Sequence, residues 1–396
     1  MWKGSELIRS LAIDFTGKCN LNCSYCYLYS KQEADKKEIS VDELITTVKK
    51  AIKWFPNIEL IELWGGEATY DPQRLHVFCQ AMYDIGATTW IPSTNGTLLH
   101  KPEYYNAWRF CNQYRASQFS FDGNPKYHNK QRSNSFDIVL ENLGLVLRQR
   151  VPVSLRTTYS FEDYIDSINE NLIWYPKIYK SFSEDTNLDQ TVVDKTFCIY
   201  PYKNKKLMMI YQEIDTIFQV KHAAVKSNIY RNYYHKIKNM VLDQLDNDVI
   251  FLPPYINDTV MALLQSEPSR TKNCASLSNQ VYLHAPTGDI YPCLSQDVDS
   301  YQSIAKLGNV HTMEINWPIV NTVRSFIVTR NNTCQDCSIR SACFGACYHT
   351  LPAETDTFNS YWNTNNIIKC KFAHSIFDVV LDTSQAIIDY IDKNNK

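Results

Sequence analysis

The sequence lacks an excess of charge of either sign. Its 396 residues include 40 basic and 42 acidic side chains, which give a formal net charge of −2. A protein that binds the phosphate backbone of nucleic acid needs a broad basic surface, and a balanced composition does not provide one. We therefore expect no nucleic-acid partner.

Long apolar runs are also absent. The N-terminal stretch MWKGSELIRSLAIDF contains no run long enough for a signal peptide, and no later segment reaches the length of a membrane span. Hydrophobic residues make up 44% of the chain, which is enough to bury a substantial core. The length indicates two or three structural units. The sequence thus predicts a globular, cytoplasmic protein without a membrane partner.

Cysteine, in contrast, is abundant, with 13 residues. Disulfides are rare in the reducing cytoplasm, so metal ligation is the expected use of so many thiols. Cys79, Cys111 and Cys198 stand alone in apolar or aromatic surroundings, and we expect them to behave as small buried hydrophobes. The other ten cysteines fall into two patterned groups.

The first half of the chain alternates short β-branched or aromatic runs with longer segments of helical period, which is typical of βα units and a parallel sheet. The expected strands are 11–15, 58–64, 89–94, 117–121 and 153–157, with a sixth candidate at 197–201. Ser40 and Glu43 have capping-box spacing and predict the start of a helix. Another helix is predicted over 136–149.

The second half of the chain divides into segments of different composition. Residues 203–245 have apolar side chains at helical spacing and predict two amphipathic helices, whereas 274–370 is rich in cysteine and turns. A last apolar helix is predicted over 372–391. The expected organisation is a barrel-like unit at 1–203, a mostly helical segment at 204–272, a cysteine-rich domain at 273–371 and a C-terminal helix at 372–396.

The first cysteine group, Cys19, Cys23 and Cys26, has the spacing C-x3-C-x2-C and follows the first predicted strand. In α/β barrels the carboxyl ends of the strands carry the chemistry. Three thiolates on one loop can hold three irons of a cubane cluster and leave the fourth iron open to an external ligand. A structural zinc site is the alternative, but zinc needs four ligands and no fourth cysteine or histidine lies nearby in sequence.

The stretch TGKCNLNCSYCY resembles the cluster loop of the radical S-adenosylmethionine (SAM) superfamily, including the aromatic Tyr25. Gly65, Gly66 and Glu67 follow the second predicted strand and resemble the GGE motif that receives the methionyl ammonium of SAM. The string SFDGNPKYHNKQR, after the fourth strand, resembles the SPASM-containing subgroup. The resemblance implies an α/β fold, with a partial (β/α)6 TIM-like barrel and a C-terminal cysteine-rich SPASM domain.

The resemblance also implies roles for single residues. Asn95 and Ser120 are candidates for the SAM ribose or nearby polar contacts, Arg132 for the SAM carboxylate, and Asp122 for a catalytic role. Each of them also fits an ordinary turn or surface position. The implied reaction is reductive cleavage of SAM to a 5′-deoxyadenosyl radical, which abstracts hydrogen from an unactivated C–H bond.

The second cysteine group has the spacing C-x13-G-x4-C, a gap, C-x2-C-x5-C-x3-C, a further gap and C. The segment PTGDIYPC predicts a hairpin that delivers Cys293, with Gly288 at a position of unusual dihedral angles. The whole pattern is similar to the seven-cysteine SPASM signature. By that resemblance two auxiliary 4Fe-4S clusters are held, one by Cys334, Cys337, Cys343 and Cys370 and the other by Cys274, Cys293 and Cys347.

The cluster of Cys274, Cys293 and Cys347 is expected to have only three cysteine ligands, because residues 265–273 contain no eighth cysteine. Its fourth iron is then free for substrate, water or another side chain. A zinc-ribbon-like module is the alternative for the group at 334–347, but it leaves three cysteines unexplained.

The SPASM subgroup acts on macromolecules, so the resemblance implies a ribosomal-peptide maturase that forms a carbon–carbon or thioether crosslink between side chains. A sulfatase-maturating activity is disfavoured, because its base is an aspartate at the position of Leu294. The expected partners are a precursor peptide and a flavodoxin- or ferredoxin-like electron donor. Since few residues precede Cys19, recognition of the peptide would fall to a separate leader-peptide-binding protein or to the segment 161–270. A radical SAM dehydrogenase of a small metabolite and a non-enzymatic iron–sulfur or zinc protein remain alternatives.

Overall fold

A computed structural model describes residues 7–26, 38–160, 163–214, 227–265, 279–293, 306–321 and 358–394. Within these ranges the side chains of 211, 213–214, 227–230 and 358–374 are left aside. The described chain forms two compact units. The first draws on 1–117, 272–332 and 352–361, and the second on 118–271, 333–351 and 362–396.

Fourteen strands and ten α-helices lie in the described part of the chain. The strands are β1 (Ser10–Thr16), β2 (Leu60–Gly65), β3 (Thr88–Trp90), β4 (Ser93–Thr94), β5 (Gln118–Ser120), β6 (Ser154–Tyr159), β7 (Ile199–Tyr202), β8 (Lys205–Met208), β9 (Tyr211–Ile214), β10 (Val249–Phe251), β11 (Gln280–His284), β12 (Asp289–Tyr291), β13 (Gly308–Asn309) and β14 (Glu314–Ile315). The helices are α1 (Val41–Trp54), α2 (Pro72–Tyr83), α3 (Pro102–Cys111), α4 (Pro125–Gln131), α5 (Phe136–Arg148), α6 (Tyr164–Ser183), α7 (Gln190–Thr196), α8 (Ser227–Leu242), α9 (Ile256–Gln265) and α10 (Phe358–Lys393). None of these helices has an apolar stretch long enough to cross a membrane.

The first unit is built around a sheet in which β1, β2 and β3 run parallel, with Ser10 opposite Leu60 and Leu60 opposite Thr88. The apolar side chains of β1 are fully buried, as expected for a parallel strand covered on both faces. Because the strands are parallel, the residues that follow β1 and β2 leave the sheet at the same edge. The loop of Cys19 and the turn at Gly65 and Gly66 are therefore neighbours.

Helix α1 begins as its sequence predicts. The Ser40 hydroxyl accepts from the Glu43 backbone N–H (3.2 Å), and the Glu43 carboxylate accepts from the Ser40 backbone N–H (2.9 Å). This reciprocal pair satisfies two backbone donors that the helix itself leaves free. The helix has a buried stripe that includes Leu44 and Val48.

The same sheet continues into the cysteine-rich segment, in the order β14-β13-β12-β11-β1-β2-β3. Strand β11 runs parallel to β1, and β12 returns antiparallel to β11 as the predicted hairpin. Gly288 closes the turn with a φ of +75°, and its N–H donates to the His284 carbonyl (2.9 Å). The described residues between 279 and 321 thus belong to the first unit, while the boundaries predicted for the whole segment 273–371 remain a prediction.

In the second unit β5, β6 and β9 run parallel, and α4 to α7 fall between β5 and β7 along the chain. Strand β7 pairs antiparallel with β8, and β10 joins β8 in a separate small sheet. Tyr234 of α8 lies fully buried, and its hydroxyl hydrogen-bonds that of Tyr164 (2.9 Å). Helix α8 is therefore part of the unit's core.

Three predictions need correction. The parallel neighbour of β6 is β9, not the segment 197–201, which instead forms the antiparallel strand β7. The predicted helical run from 203 is wrong at its start, since the described part of 204–272 holds strands β8, β9 and β10 beside helices α8 and α9. Tertiary pairing overrides helical spacing in such short runs. The C-terminal helix begins at Phe358 rather than at Phe372.

Replacing Ser40 with Ala should lower the free energy of unfolding by about 1 kcal/mol, because the Glu43 N–H loses its capping acceptor. Urea denaturation of the purified protein measures this change. Thr46→Ala is the matched control, since Thr46 is exposed in the middle of α1. Equal stability of the two variants would contradict the capping role.

Candidate active site

The loop after β1 carries the first cysteine group. The Cys26 N–H donates to the Cys23 carbonyl (3.1 Å), which closes a tight turn between these two cysteines. The Cys19 sulfur accepts from the Leu21 backbone N–H (3.4 Å). None of the three forms a disulfide, and Cys19 is exposed while the other two are half-buried. Tyr25 between them is half-buried as well.

The turn after β2 holds this loop through its backbone. The Gly66 N–H donates to the Thr16 carbonyl (2.7 Å), and the Glu67 N–H donates to the Lys18 carbonyl (2.9 Å). A Cβ added at Gly65 would overlap the Thr16 carbonyl, and one added at Gly66 would overlap that of Lys18. Gly65 also has a φ of +117°, which L side chains rarely adopt. Both glycines are therefore needed for the loop to approach so closely.

Glu67 faces inward from this turn. Its buried carboxylate accepts from the hydroxyls of Thr69 (2.7 Å) and Thr94 (2.8 Å), from the Asn95 N–H (2.6 Å) and from the Thr69 N–H (3.3 Å). Burial raises the pKa of Glu67, and these hydrogen bonds oppose that rise. The carboxylate thus ties the turn after β2 to the segment after β4.

Asn95 links the hydrogen bonds of Glu67 to the cysteine loop. Its amide nitrogen donates to the Asn20 side-chain oxygen (2.9 Å) and lies 3.9 Å from the Cys19 sulfur. The Asn95 oxygen accepts from the Thr97 hydroxyl (2.7 Å), which in turn accepts from the Asn20 amide (2.7 Å). This closed set of polar side chains fixes the residue that directly follows Cys19.

The chemistry of these donors fits an iron–sulfur cluster. Partial desolvation by the surrounding atoms raises the pKa of Cys19 to about 11, although the side chain keeps access to solvent. Iron binding would displace that proton, since a thiol coordinates metal as the thiolate. N–H groups aimed at the sulfur, as from Leu21 and Asn95, are a usual feature of cluster ligands. Within the described ranges, no three His, Cys, Asp or Glu side chains converge on one metal-binding point.

The candidates in the second unit form their own buried network. Asp122 accepts from Arg132 Nε (2.8 Å) and from the Thr158 N–H (2.9 Å), and both charged side chains are almost fully buried. Ser120 lies half-buried at the end of β5. The catalytic role of Asp122 and the SAM contacts of Ser120 and Arg132 stay predictions.

His128 supports this network as a neutral ring. Its Nδ1 accepts from the Asp122 backbone N–H (3.2 Å), so Nε2 carries the proton and donates to the Ser135 hydroxyl (3.0 Å). Burial lowers the pKa of His128 to about 4. The ring therefore remains uncharged at neutral pH.

The second cysteine group lies mostly outside the described residues. Cys293 follows β12, is half-buried and forms no disulfide. Cys370 falls within α10, and Cys274, Cys334, Cys337, Cys343 and Cys347 are not described. Of the three lone cysteines, Cys79 and Cys111 are buried as predicted, whereas Cys198 is half-buried.

The structure adds residues that the sequence reasoning missed, namely Asn20, Thr69, Thr94 and Thr97. Asn20 could have been predicted from the sequence, because a side-chain amide directly after the first cysteine of the loop lies close to the proposed cluster. The three threonines carried no distinctive spacing. Their role depends on which strand ends meet at the sheet edge.

Residues 13–170 match the radical SAM superfamily. The chain contains a radical SAM domain. This match covers β1 to α6 and includes the cysteine loop, the GGE turn and Asn95.

Among curated proteins, the chain is similar to a probable GTP 3′,8-cyclase of Methanococcus maripaludis strain C6, with 34% identity over 98 residues. That stretch is 24% of this chain and 30% of the relative, so the chain matches under a third of that protein's length.

Among solved structures, native anSMEcpe with bound AdoMet has a TM-score of 0.60 and 17% identity, covering 96% of this chain and 99% of that one. This likeness confirms the predicted α/β fold class. Streptococcus suis SuiB bound to precursor peptide SuiA is less similar, with a TM-score of 0.48 and 14% identity over 88% of this chain and 76% of that one.

Replacing Gly66 with Ala should lower the iron content of anaerobically reconstituted protein by up to about one third, the share of one cluster in three, because the new Cβ displaces the Lys18 carbonyl beside Cys19. Iron analysis per chain measures the loss. Gly144→Ala is the matched control, since a Cβ there meets its nearest atom at 3.5 Å in ordinary contact. Full iron loading of both variants would refute the steric role of Gly66.

Protonation of His128 should destabilise the protein below neutral pH. The pKa is about 4 when folded and near 6.5 when unfolded, so the stabilisation is present above 6.5 and is lost as the pH falls toward 4. The wild type should lose about 3 kcal/mol more than His128→Gln over this range. Urea denaturation at a series of pH values gives the difference, and parallel pH profiles would contradict the assignment.

Proposed function

We propose that the protein is a radical SAM enzyme whose loop cysteines Cys19, Cys23 and Cys26 hold the SAM-cleaving 4Fe-4S cluster. The observation that carries the proposal is the backbone contact of Gly66 and Glu67 with the residues just before Cys19. It brings a GGE-like turn and a three-cysteine loop to one sheet edge, as binding of one cofactor across both elements requires. When bound, the cluster would supply the electron that cleaves SAM.

The protein's own residues would then position SAM and exclude water. The backbone at Gly65 and Gly66 has no Cβ atoms in the way of a ligand. Asn95 is fixed on three sides by Asn20, Thr97 and the carboxylate of Glu67, so its amide needs no reorganisation on binding. For Tyr25, Ser120 and Arg132 the SAM contacts that the resemblance implies stay proposals for each residue separately.

We further propose two auxiliary 4Fe-4S clusters, as the spacing of the second cysteine group implies. The hairpin of β11 and β12 supports the part of this proposal that concerns Cys293, because the turn at Gly288 is the one that the SPASM-like pattern requires. Electrons would come from a flavodoxin- or ferredoxin-like donor.

The proposed substrate is a precursor peptide, on which a side-chain crosslink is formed. The support is the SPASM-like cysteine pattern, with Leu294 standing where a sulfatase-type oxidase would need a base. A small-metabolite substrate is the second candidate. It is favoured by the sequence likeness to a probable GTP 3′,8-cyclase, but that likeness covers a quarter of the chain.

Alanine at Cys19, Cys23 or Cys26 should abolish formation of 5′-deoxyadenosine from SAM and dithionite under anaerobic conditions. Each variant should also lose about one third of the bound iron, the share of one cluster in three. Chromatography of the nucleoside products and iron analysis test both points. Cys198→Ala is the control and should keep both properties. Zinc instead of iron in the wild type, or no nucleoside product from it, would refute the proposal.

The substrate class is tested by anaerobic co-expression with each short open reading frame next to the gene. A peptide substrate should lose two hydrogens for each crosslink, and mass spectrometry detects that change. Co-expression with Cys19→Ala should leave the peptide mass unaltered. Active SAM cleavage without any modified peptide would favour the small-metabolite candidate.

A further inference from the structure

A carboxylate joins the two ends of the cysteine loop. The chain between Thr16 and Glu38 contains all three cysteines of the first group. Glu38 Oε1 accepts from the Thr16 hydroxyl (2.6 Å), and Glu38 Oε2 pairs with Lys18 Nζ (2.5 Å). Thr16 and Lys18 stand just before Cys19. One side chain therefore connects the end of the loop to its start.

Arg74 holds the same two ends through their backbones. It lies in the first turn of α2, and its side chain is 10% exposed. Its Nη1 atom donates to the Ile39 carbonyl (2.8 Å), and its Nη2 atom donates to the Phe15 carbonyl (3.3 Å). The Nε atom lies 3.8 Å from Glu38 Oε1. The guanidinium group thus spans the start and the end of the loop beside the carboxylate.

The environment of Glu38 favours the ionised carboxylate. Partial burial opposes ionisation, but hydrogen bonds from Lys18 and Thr16 and the charge of Arg74 hold the pKa of Glu38 below its ordinary value. An ionised acceptor makes a stronger hydrogen bond than a neutral one. The ion pair with Lys18 contributes less, because the Lys18 side chain is 56% exposed. The contacts with Thr16 and Arg74 therefore matter most.

Thr16 connects this closure of the loop to the GGE turn. Its hydroxyl donates to Glu38 and accepts from the Lys18 N–H (3.1 Å), while its carbonyl accepts from the Gly66 N–H (2.7 Å). The two ends of the cysteine loop and the GGE turn are thus held by one set of hydrogen bonds.

A cluster on a loop is retained more firmly when the protein fixes the ends of that loop, because a loop with free ends must be closed at a cost in chain entropy. We propose that Glu38 is a positioning residue for the SAM-cleaving cluster, which it retains by holding the two ends of the cysteine loop together. This inference rests on the proposed function. It gives Glu38 no contact with iron or with SAM.

The test measures how fast the anaerobic holoenzyme loses iron to a ferrous chelator, at a temperature where circular dichroism shows every variant to be folded. About one third of the iron belongs to the cysteine loop if three clusters are present, and Cys19→Ala identifies that share. Glu38→Ala should lose this share about ten-fold faster than the wild type, because a charge-assisted hydrogen bond is gone. The rest of the iron should leave at the wild-type rate.

Glu38→Gln separates the hydrogen bond from the charge. Its amide oxygen can still accept from the Thr16 hydroxyl, but it cannot form ion pairs with Lys18 and Arg74. Its rate of iron loss should therefore fall between those of the wild type and Glu38→Ala. Thr16→Val removes the hydroxyl with little change in shape and should also speed the loss several-fold, so it tests the inference even if Glu38→Ala does not fold.

Glu59→Ala is the matched control, because Glu59 also pairs with an arginine, Arg9 (2.9 Å), but lies outside the loop. It should lose iron at the wild-type rate. Wild-type rates in Thr16→Val and in the folded Glu38 variants would overturn the inference, and so would equal acceleration for all of the iron. A wild type that binds no iron overturns the proposed function, and the inference with it.

Discussion

The backbone hydrogen bonds between the GGE turn and the cysteine loop are the constraint on which the candidate site depends. Two amide N–H groups reach the carbonyls of Thr16 and Lys18, and no side chain stands between the two segments. The strand that precedes a backbone donor fixes the direction of that donor. The register of β1 against β2 therefore determines where the cysteine loop lies. A side chain at Gly65 or Gly66 would break this backbone contact rather than shift it slightly.

Glu67 and Asn95 connect the GGE turn and the cysteine loop to the next strands along the chain. The buried carboxylate collects donors from two segments that are far apart in sequence, and it stays buried because each of its hydrogen bonds offsets part of the desolvation cost. Glu67, the glutamate of the GGE turn, therefore joins segments within the protein. Of the residues around this turn, the backbone of the two glycines and the amide of Asn95 are left for the proposed ligand contacts.

The sequence predicted the parts of the fold in which local rules and tertiary structure agree. The capping box at Ser40, the first strands and the hairpin at Gly288 all have such signals. It failed over 203–214, where short apolar runs fit a helix and a strand equally well and pairing with β6 and β10 decides the outcome. The cysteines could be predicted from their spacing. The contact of Asp14 with His284 could not, because the parallel pairing of β1 with β11 joins residues 270 positions apart.

That pairing also limits where the proposed cluster of Cys293 can lie. Strand β12 is two strands away from β1, or about 10 Å at the usual strand spacing. It also runs antiparallel to β11, so the chain toward Cys293 heads away from the edge that carries Cys19. Further extended residues would add about 3 Å each to that separation. A cluster on Cys293 would therefore be a distinct centre, joined to the first through one continuous sheet.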